Sequence, residues 1–215
     1  MGKIENFVLG SFSGRLGNLV IYQLKGKTVV RKRPGKKENF KSSPLQRYYQ
    51  DCFVLAQRFL LPIEDQLNIG FGQFSIGGKR GIHTAMSWAI KNAMRNENGT
   101  AVLIPEKIQV SKGDLTPAQN LNLEKLEGRN YRITWTPNGF DGSARDSDRC
   151  FVLLYQPSEK KVQFIRSGSF RKHGSQAFRL LNSFTEADFF LYFAFSKKVQ
   201  GGNTVFSDSQ CLKGF

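Results

Sequence analysis

The chain has 215 residues, 40% hydrophobic and 23% charged, with 19 Phe, which supplies a packed core and excludes global disorder. Its 32 Lys and Arg against 17 Asp and Glu give a net charge of +15, which raises the local concentration of nucleic acid, acidic lipid or anionic glycan. Three cysteines without a C-x-x-C pair argue against a disulfide scaffold or a zinc ribbon.

No apolar run at the start reads as a signal peptide, and none elsewhere approaches the length of a transmembrane segment. The expectation is a cytoplasmic or virion-associated protein. Two thirds of the excess positive charge falls within residues 1–110.

Residues 7–35 read as β structure. The stretch "SGRLGN" is a glycine-rich turn, and "LVIYQL" runs into "TVVRKRP" across Lys25-Gly26. A two-residue connection there sets Tyr22 beside Val29 and Ile21 beside Val30, with Gly26 taking a positive φ. Lys27, Arg31 and Arg33 then share one face, with Lys32 on the other. The whole segment 25–37 holds seven Lys or Arg and no acid.

A helix follows, with Ser43 as N-cap and Pro44 in the first turn. Leu45, Tyr48, Tyr49, Cys52, Phe53, Ala56, Phe59 and Leu60 recur at helical spacing. Pro62 ends it and opens a short helix through "IEDQLNIGF". A further helix is expected over about 81–96 from the stripe Ile82, Ala85, Met86, Ala89, Ile90, Ala93 and Met94, with Asn98-Gly99 as its stop. "TAVLIPEKIQVSKGDLTP" reads as a strand and then a connector.

From Gln119 the texture changes to seven short alternating or apolar segments separated by turn signals: "NLNLEKL", "NYRITWTP", "RCFVLLYQP", "KVQFIRSG", "QAFRLL", "DFFLYFAFSK" and "NTVFSDSQ". This spacing predicts an antiparallel sandwich. The fold class is therefore α+β: an N-terminal β-hairpin with two main helices, then a seven-stranded sandwich. The expected domains are 1–112, basic hairpin and helices, and 119–215, the sandwich.

Trp135 in "ITWTP", Tyr155 in "VLLYQ" and the alternating "LYFAF" ending at Ala194 make residues 119–215 resemble a fibronectin type III domain. Phe189 or Phe190 stands where that family has its corner tyrosine, and the adhesive "RGD" is absent. The resemblance implies a fold and core roles for Trp135 and Tyr155; this fold hosts many functions. The string "GNLVIYQLKGKTVVRKRP", residues 17–34, is similar to the Gly-rich opening of a bacterial family of basic proteins of this length. That likeness implies a domain of unknown function.

No enzyme signature stands out. His83 and His173 have no partner at metal-ligand spacing. Asp141, Asp146 and Asp148 do not follow a calcium-loop order and read as a hydrated loop between the second and third strands. Glu64 and Asp65 complement a helix N-terminus. No cofactor and no metal are expected.

The expected function is a non-enzymatic binding or structural protein of a mobile element, phage or envelope assembly, with the sandwich as an interaction module and a protein partner or self-association. The first alternative is nucleic-acid binding, with Lys25, Lys27, Arg31, Lys32, Arg33, Lys36 and Lys37 as a cationic row and Tyr22 as a stacking partner. Charged residues that keep an edge strand from aggregating account for the same stretch. A hydrolase with scattered residues is the second alternative.

Overall fold

The structure is a computed structural model that describes residues 2–4 (backbone), 13–35, 41–186, 188–199 and 201–213. It divides into two compact units, 1–42 and 43–215.

The first unit is a four-stranded antiparallel sheet of β1 (Gly2–Ile4), β2 (Gly14–Leu16), β3 (Leu19–Leu24) and β4 (Lys27–Lys32), in the order β1-β4-β3-β2. Lys25 (φ 53°) and Gly26 (φ 74°) form the two-residue turn between β3 and β4. Both central residues at positive φ match the strand twist and fix the register. Tyr22 accordingly pairs with Val29 and Ile21 with Val30.

The second unit begins with α1 (Pro44–Leu60). Its Ser43 cap and Gln46 bond reciprocally, Gln46 N–H to Ser43 Oγ at 3.2 Å and Ser43 N–H to Gln46 Oε1 at 3.1 Å. Cys52, Ala56, Phe59 and Leu60 are buried, whereas Leu45, Tyr49 and Phe53 of the same stripe are exposed. A 3-10 turn at Pro62 leads into α2 (Glu64–Gly70), and α3 spans Gly81–Asn92.

The third helix ends four residues before the expected 96. Met94–Glu97 is β5, paired with β6 (Thr100–Leu103). Asn98 (φ 52°) and Gly99 (φ 86°) are their hairpin turn and not a helix stop.

The seven expected segments form the strands of a sandwich. One sheet holds β7 (Gln119–Lys125), β8 (Asn130–Thr136) and β11 (Ser175–Arg179), in the order β11-β8-β7. The other holds β9 (Arg149–Gln156), β10 (Lys161–Ile165), β12 (Phe190–Lys198), β13 (Thr204–Phe206) and β14 (Gln210–Lys213). β13 and β14 pair in succession along β12, so they act as one interrupted seventh strand. All pairings are antiparallel, as the fibronectin type III likeness implied.

The larger sheet is covered on both faces. Cys150, Val152 and Leu154 of β9, with Leu191, Phe193 and Phe195 of β12, point into the sandwich against Tyr131, Ile133 and Trp135. Phe151, Leu153 and Tyr155, with Tyr192 and Ala194, point the other way, against Phe59, Leu60 and Ile63 of the helical layer. Tyr155 meets Phe59 edge-on at 5.0 Å. Tyr155 is thus core, as expected, but of the helix–sheet layer. Double burial explains why "CFVLLYQ" and "FLYFAF" are continuous apolar runs, while β8, solvated on one face, alternates.

These shared contacts place the division of the chain at 42/43, not at the expected 112–119. The segment 110–115 is stitched to the end of β13: Ser111 Oγ donates to the Ser207 carbonyl at 2.9 Å, the Val110 N–H to Ser209 Oγ at 2.8 Å, and the Leu115 N–H to the Phe206 carbonyl at 3.2 Å. The helices and the sandwich are one body.

One buried cation organises an end of that body. Arg171 and Asp148 are both fully buried, with Arg171 Nε donating to Asp148 Oδ2 at 3.1 Å. Arg171 also donates to Asn138 Oδ1 at 2.6 Å and to the Thr116 carbonyl at 2.8 Å, and lies 3.7 Å over the Phe195 ring. Burial pulls its pKa below the usual arginine range, and Asp148 opposes that shift. Asp148 therefore does not lie in a hydrated loop, as its spacing had suggested.

The free cysteines are buried or half-buried. Cys150 pairs with Phe195 and Cys211 with Tyr192, positions of opposite facing on β12, so the two thiols lie on opposite sides of the sheet. Burial pushes both up to about 12.

Three outcomes are expected. Fragment 43–215 unfolds cooperatively in urea, while fragment 119–215 binds a hydrophobic dye and aggregates, because Phe151, Leu153, Tyr155 and Tyr192 lose their cover. Asp148→Ala, which strands a buried guanidinium, lowers unfolding free energy by about 3–5 kcal/mol, whereas Glu127→Ala in an exposed turn stays within about 0.5 kcal/mol. A thiol reagent at pH 8 leaves Cys150 and Cys211 unmodified in the native protein and reacts with them in denaturant.

Candidate functional site: the basic sheet face

Sheet alternation sorts the cations of the N-terminal sheet. Lys27 and Arg31 of β4 lie on the same face as Tyr22 and Val20 of β3. Arg33, one residue past β4, continues that alternation, and its N–H extends the ladder to the Asn18 carbonyl at 2.6 Å. Lys32 is on the opposite face, beside Leu19, and Lys25 sits in the turn. Lys36 and Lys37 lie outside the described residues.

One cation was missed from the sequence. Arg15 is in β2 and pairs with Val20, which pairs with Arg31, so Arg15–Val20–Arg31 is a row running across three strands. Two strand steps separate the two guanidinium-bearing positions by about 10 Å. "SGRLGN" reads as a turn because of its glycines, yet its own two-residue connection at Gly17-Asn18 folds Arg15 back beside β3. The signal was the hairpin spacing about Gly17.

Arg15, Lys27, Arg31 and Arg33 are exposed, and Tyr22 is half-buried. The Arg31 guanidinium carbon is 5.8 Å from the Tyr22 ring centroid, at the outer range of a cation–π contact. Residues 13–35 contain six Lys or Arg and no acid. The face therefore presents cations around one aromatic ring, chemistry suited to phosphate oxygens.

The other residues of interest lie elsewhere in the fold. His83 Nδ1 accepts the Arg80 N–H at 3.0 Å and caps α3. His173 packs edge-on against Phe170. Asp141 accepts from Gln119 Nε2 at 2.9 Å, so it and the buried Asp148 are engaged separately. Glu64 and Asp65 occupy the first turn of α2, and Glu64 meets Arg80 at 2.7 Å. Among the described residues no group of three or more His, Cys, Asp or Glu is gathered for a metal ion, and no helix is long and apolar enough to cross a membrane.

Comparison with known proteins gives the family. No curated protein matches the chain. Among solved structures, a human fibronectin type III domain is similar at 20% identity and a TM-score of 0.30, over 56% of this chain and 92% of that domain. A family model, described as a family of unknown function (DUF6266), matches residues 11–208. The match includes β2 to β4 with their cationic face, the helices and the strands of the sandwich through β13, and the chain belongs to this family of unknown function.

Proposed function

We propose that the protein is a non-enzymatic binding protein whose N-terminal sheet contacts the phosphate backbone of nucleic acid. The observation that carries this reading is the shared sheet face of Arg15, Lys27, Arg31 and Arg33 beside Tyr22, in a segment free of acids. Residues 1–42 hold ten Lys or Arg against two acids, a net +8, so about half the excess charge of the molecule sits in a fifth of its length. A cationic row on a twisted ribbon neutralises several phosphates at once and releases their counterions, whatever the base sequence. Tyr22 adds a stacking surface for an unpaired base.

A second reading is favoured by α1. Leu45, Tyr49 and Phe53 recur every four residues on one side of the helix and are 65%, 55% and 48% exposed. Such a row suits contact with a protein partner or a second copy of the chain, with the sandwich-bearing unit as the interaction module.

Fluorescence anisotropy of nuclease-treated protein with labelled single- and double-stranded DNA and RNA, across a salt series, separates the two. Nucleic-acid binding is expected to weaken steeply with salt, and Arg15→Ala/Arg31→Ala/Arg33→Ala to reduce the duplex log–log slope by about 2–3. Unchanged affinity in the triple variant overturns the first reading. A nuclease-resistant oligomer in light scattering that Phe53→Glu dissolves establishes the second.

A further inference from the structure

The unit 43–215 carries a cleft of about 800 Å³ at one end of its five-stranded sheet. Antiparallel pairing brings the start of β9, the end of β10, the end of β12 and the start of β13 to that end. Alternation then decides which side chains meet. Phe151 of β9, Phe164 of β10 and Ala194 of β12 face the helical layer. Arg149, Arg166 and Lys198, each an even number of residues away, fall on the same side where the sheet runs past α2. They line the cleft over a floor of Ile69 and Phe206; Lys197, turned to the other side by the same alternation, borders it.

Its chemistry is one-sided. The wall holds four cations, the hydroxyls of Ser147, Ser167 and Thr204, and no acid among the described lining residues. None of the four cations forms an ion pair with a described residue. Gathering them in a concavity costs self-repulsion that a bound anion removes.

Arg149 is also braced. Its guanidinium carbon lies 4.1 Å over the Phe170 ring, its Nη1 donates to the Gly168 carbonyl at 3.4 Å, and its own carbonyl accepts from Ser196 Oγ at 3.1 Å. Their sequence neighbours, Asp148 before Arg149 and Arg171 after Phe170, form the buried ion pair. The same two chain segments thus turn one charged pair inward and hold one stacked arginine outward. A planar guanidinium fixed this way is ready for bidentate bonding to an oxyanion, with little side-chain freedom left to lose.

We propose that this cleft binds a compact, multiply charged phosphate ligand, either an inorganic polyphosphate or the phosphate chain of a nucleotide. Three cations on one side exceed what a single carboxylate neutralises. The volume lies within the range of small-molecule sites, and the Ile69–Phe206 floor leaves an apolar surface for an attached ring. The site lies wholly within 43–215, so it does not depend on the N-terminal sheet.

The test is isothermal titration of the full chain with sodium tripolyphosphate, ATP and sodium sulfate at equal ionic strength. Tripolyphosphate and ATP are expected to bind at least tenfold more tightly than sulfate. Arg149→Ala and Arg166→Ala, both at exposed positions, are each expected to weaken that binding at least tenfold with unchanged thermal unfolding. Arg149→Lys, which keeps the charge and loses the planar stack, recovers only part of it. Arg31→Ala/Arg33→Ala leaves it intact, which separates this site from the nucleic-acid surface. ATP tighter than tripolyphosphate identifies the nucleotide as the source; equal affinity identifies the polyphosphate. No binding by the wild type at millimolar ligand, binding indifferent to Arg149→Ala and Arg166→Ala, or sulfate binding as tightly overturns the proposal.

Discussion

The architecture of the sandwich end depends on a guanidinium that never meets water. Removing a charged side chain from solvent costs several kcal/mol unless an opposite charge and further hydrogen bonds replace what hydration supplied. Arg171 meets that requirement with Asp148, Asn138, the Thr116 carbonyl and the face of Phe195. Thr116 belongs to the approach to β7, Asn138 and Asp148 to the connection between β8 and β9, and Arg171 to the turn between β10 and β11. One side chain therefore ties together three connections that the strand ladders alone leave independent. Main-chain bonds close the same knot: Trp135 Nε1 donates to the Arg171 carbonyl at 2.8 Å, and the Arg171 N–H to the Asp148 carbonyl at 2.7 Å.

Those fixed connections sit on a sheet with two cores. A sheet solvated on one face tolerates polar residues at every second position. The sheet containing β9 and β12 has no such freedom, because the helical layer covers its outer face while the smaller sheet covers its inner one. The helices are not an appended domain: the sandwich needs them to hide Phe151, Leu153, Tyr155 and Tyr192. Tyr192 shows how tightly the layers are joined, since its hydroxyl donates to the Pro105 carbonyl at 2.9 Å and anchors the 3-10 turn after β6.

Local features of this fold were legible in the sequence. Ser43-Pro44 marked the start of α1, Lys25-Gly26 set the β3–β4 register, and turn residues bounded each sandwich strand. What depends on packing between distant elements was not. The stripe through Ala93 and Met94 continued the helical period past Asn92, although Asn98-Gly99 also fits a hairpin turn, and tertiary pairing with β6 decided the matter. The domain boundary was misplaced because a change of texture at 119 records where strands begin, not where a core ends. Unbroken apolar runs in β9 and β12 were the available sign of a second covered face. Arg171, within the polar string "FRKHGS", carries no mark of burial in its neighbours. Arg149, Arg166 and Lys198 are unremarkable one by one and meet only because antiparallel strands bring their ends together.

The two cationic surfaces differ in the physics that governs them. On the N-terminal sheet the cations are exposed and about 10 Å apart across the strands, comparable to the Debye length of about 8 Å at physiological ionic strength. On the nucleic-acid reading proposed above, affinity there would come from the number of counterions displaced and would be indifferent to the order of bases. In the cleft the cations converge on one volume, and Arg149 is held by a ring and a carbonyl. A guanidinium fixed in this way would distinguish oxyanions by shape as well as charge. The first 42 residues carry +8 and the remaining 173 carry +7, so the two excesses are nearly equal in size and differ in arrangement. Geometry, more than net charge, determines what a basic protein of this kind can tell apart.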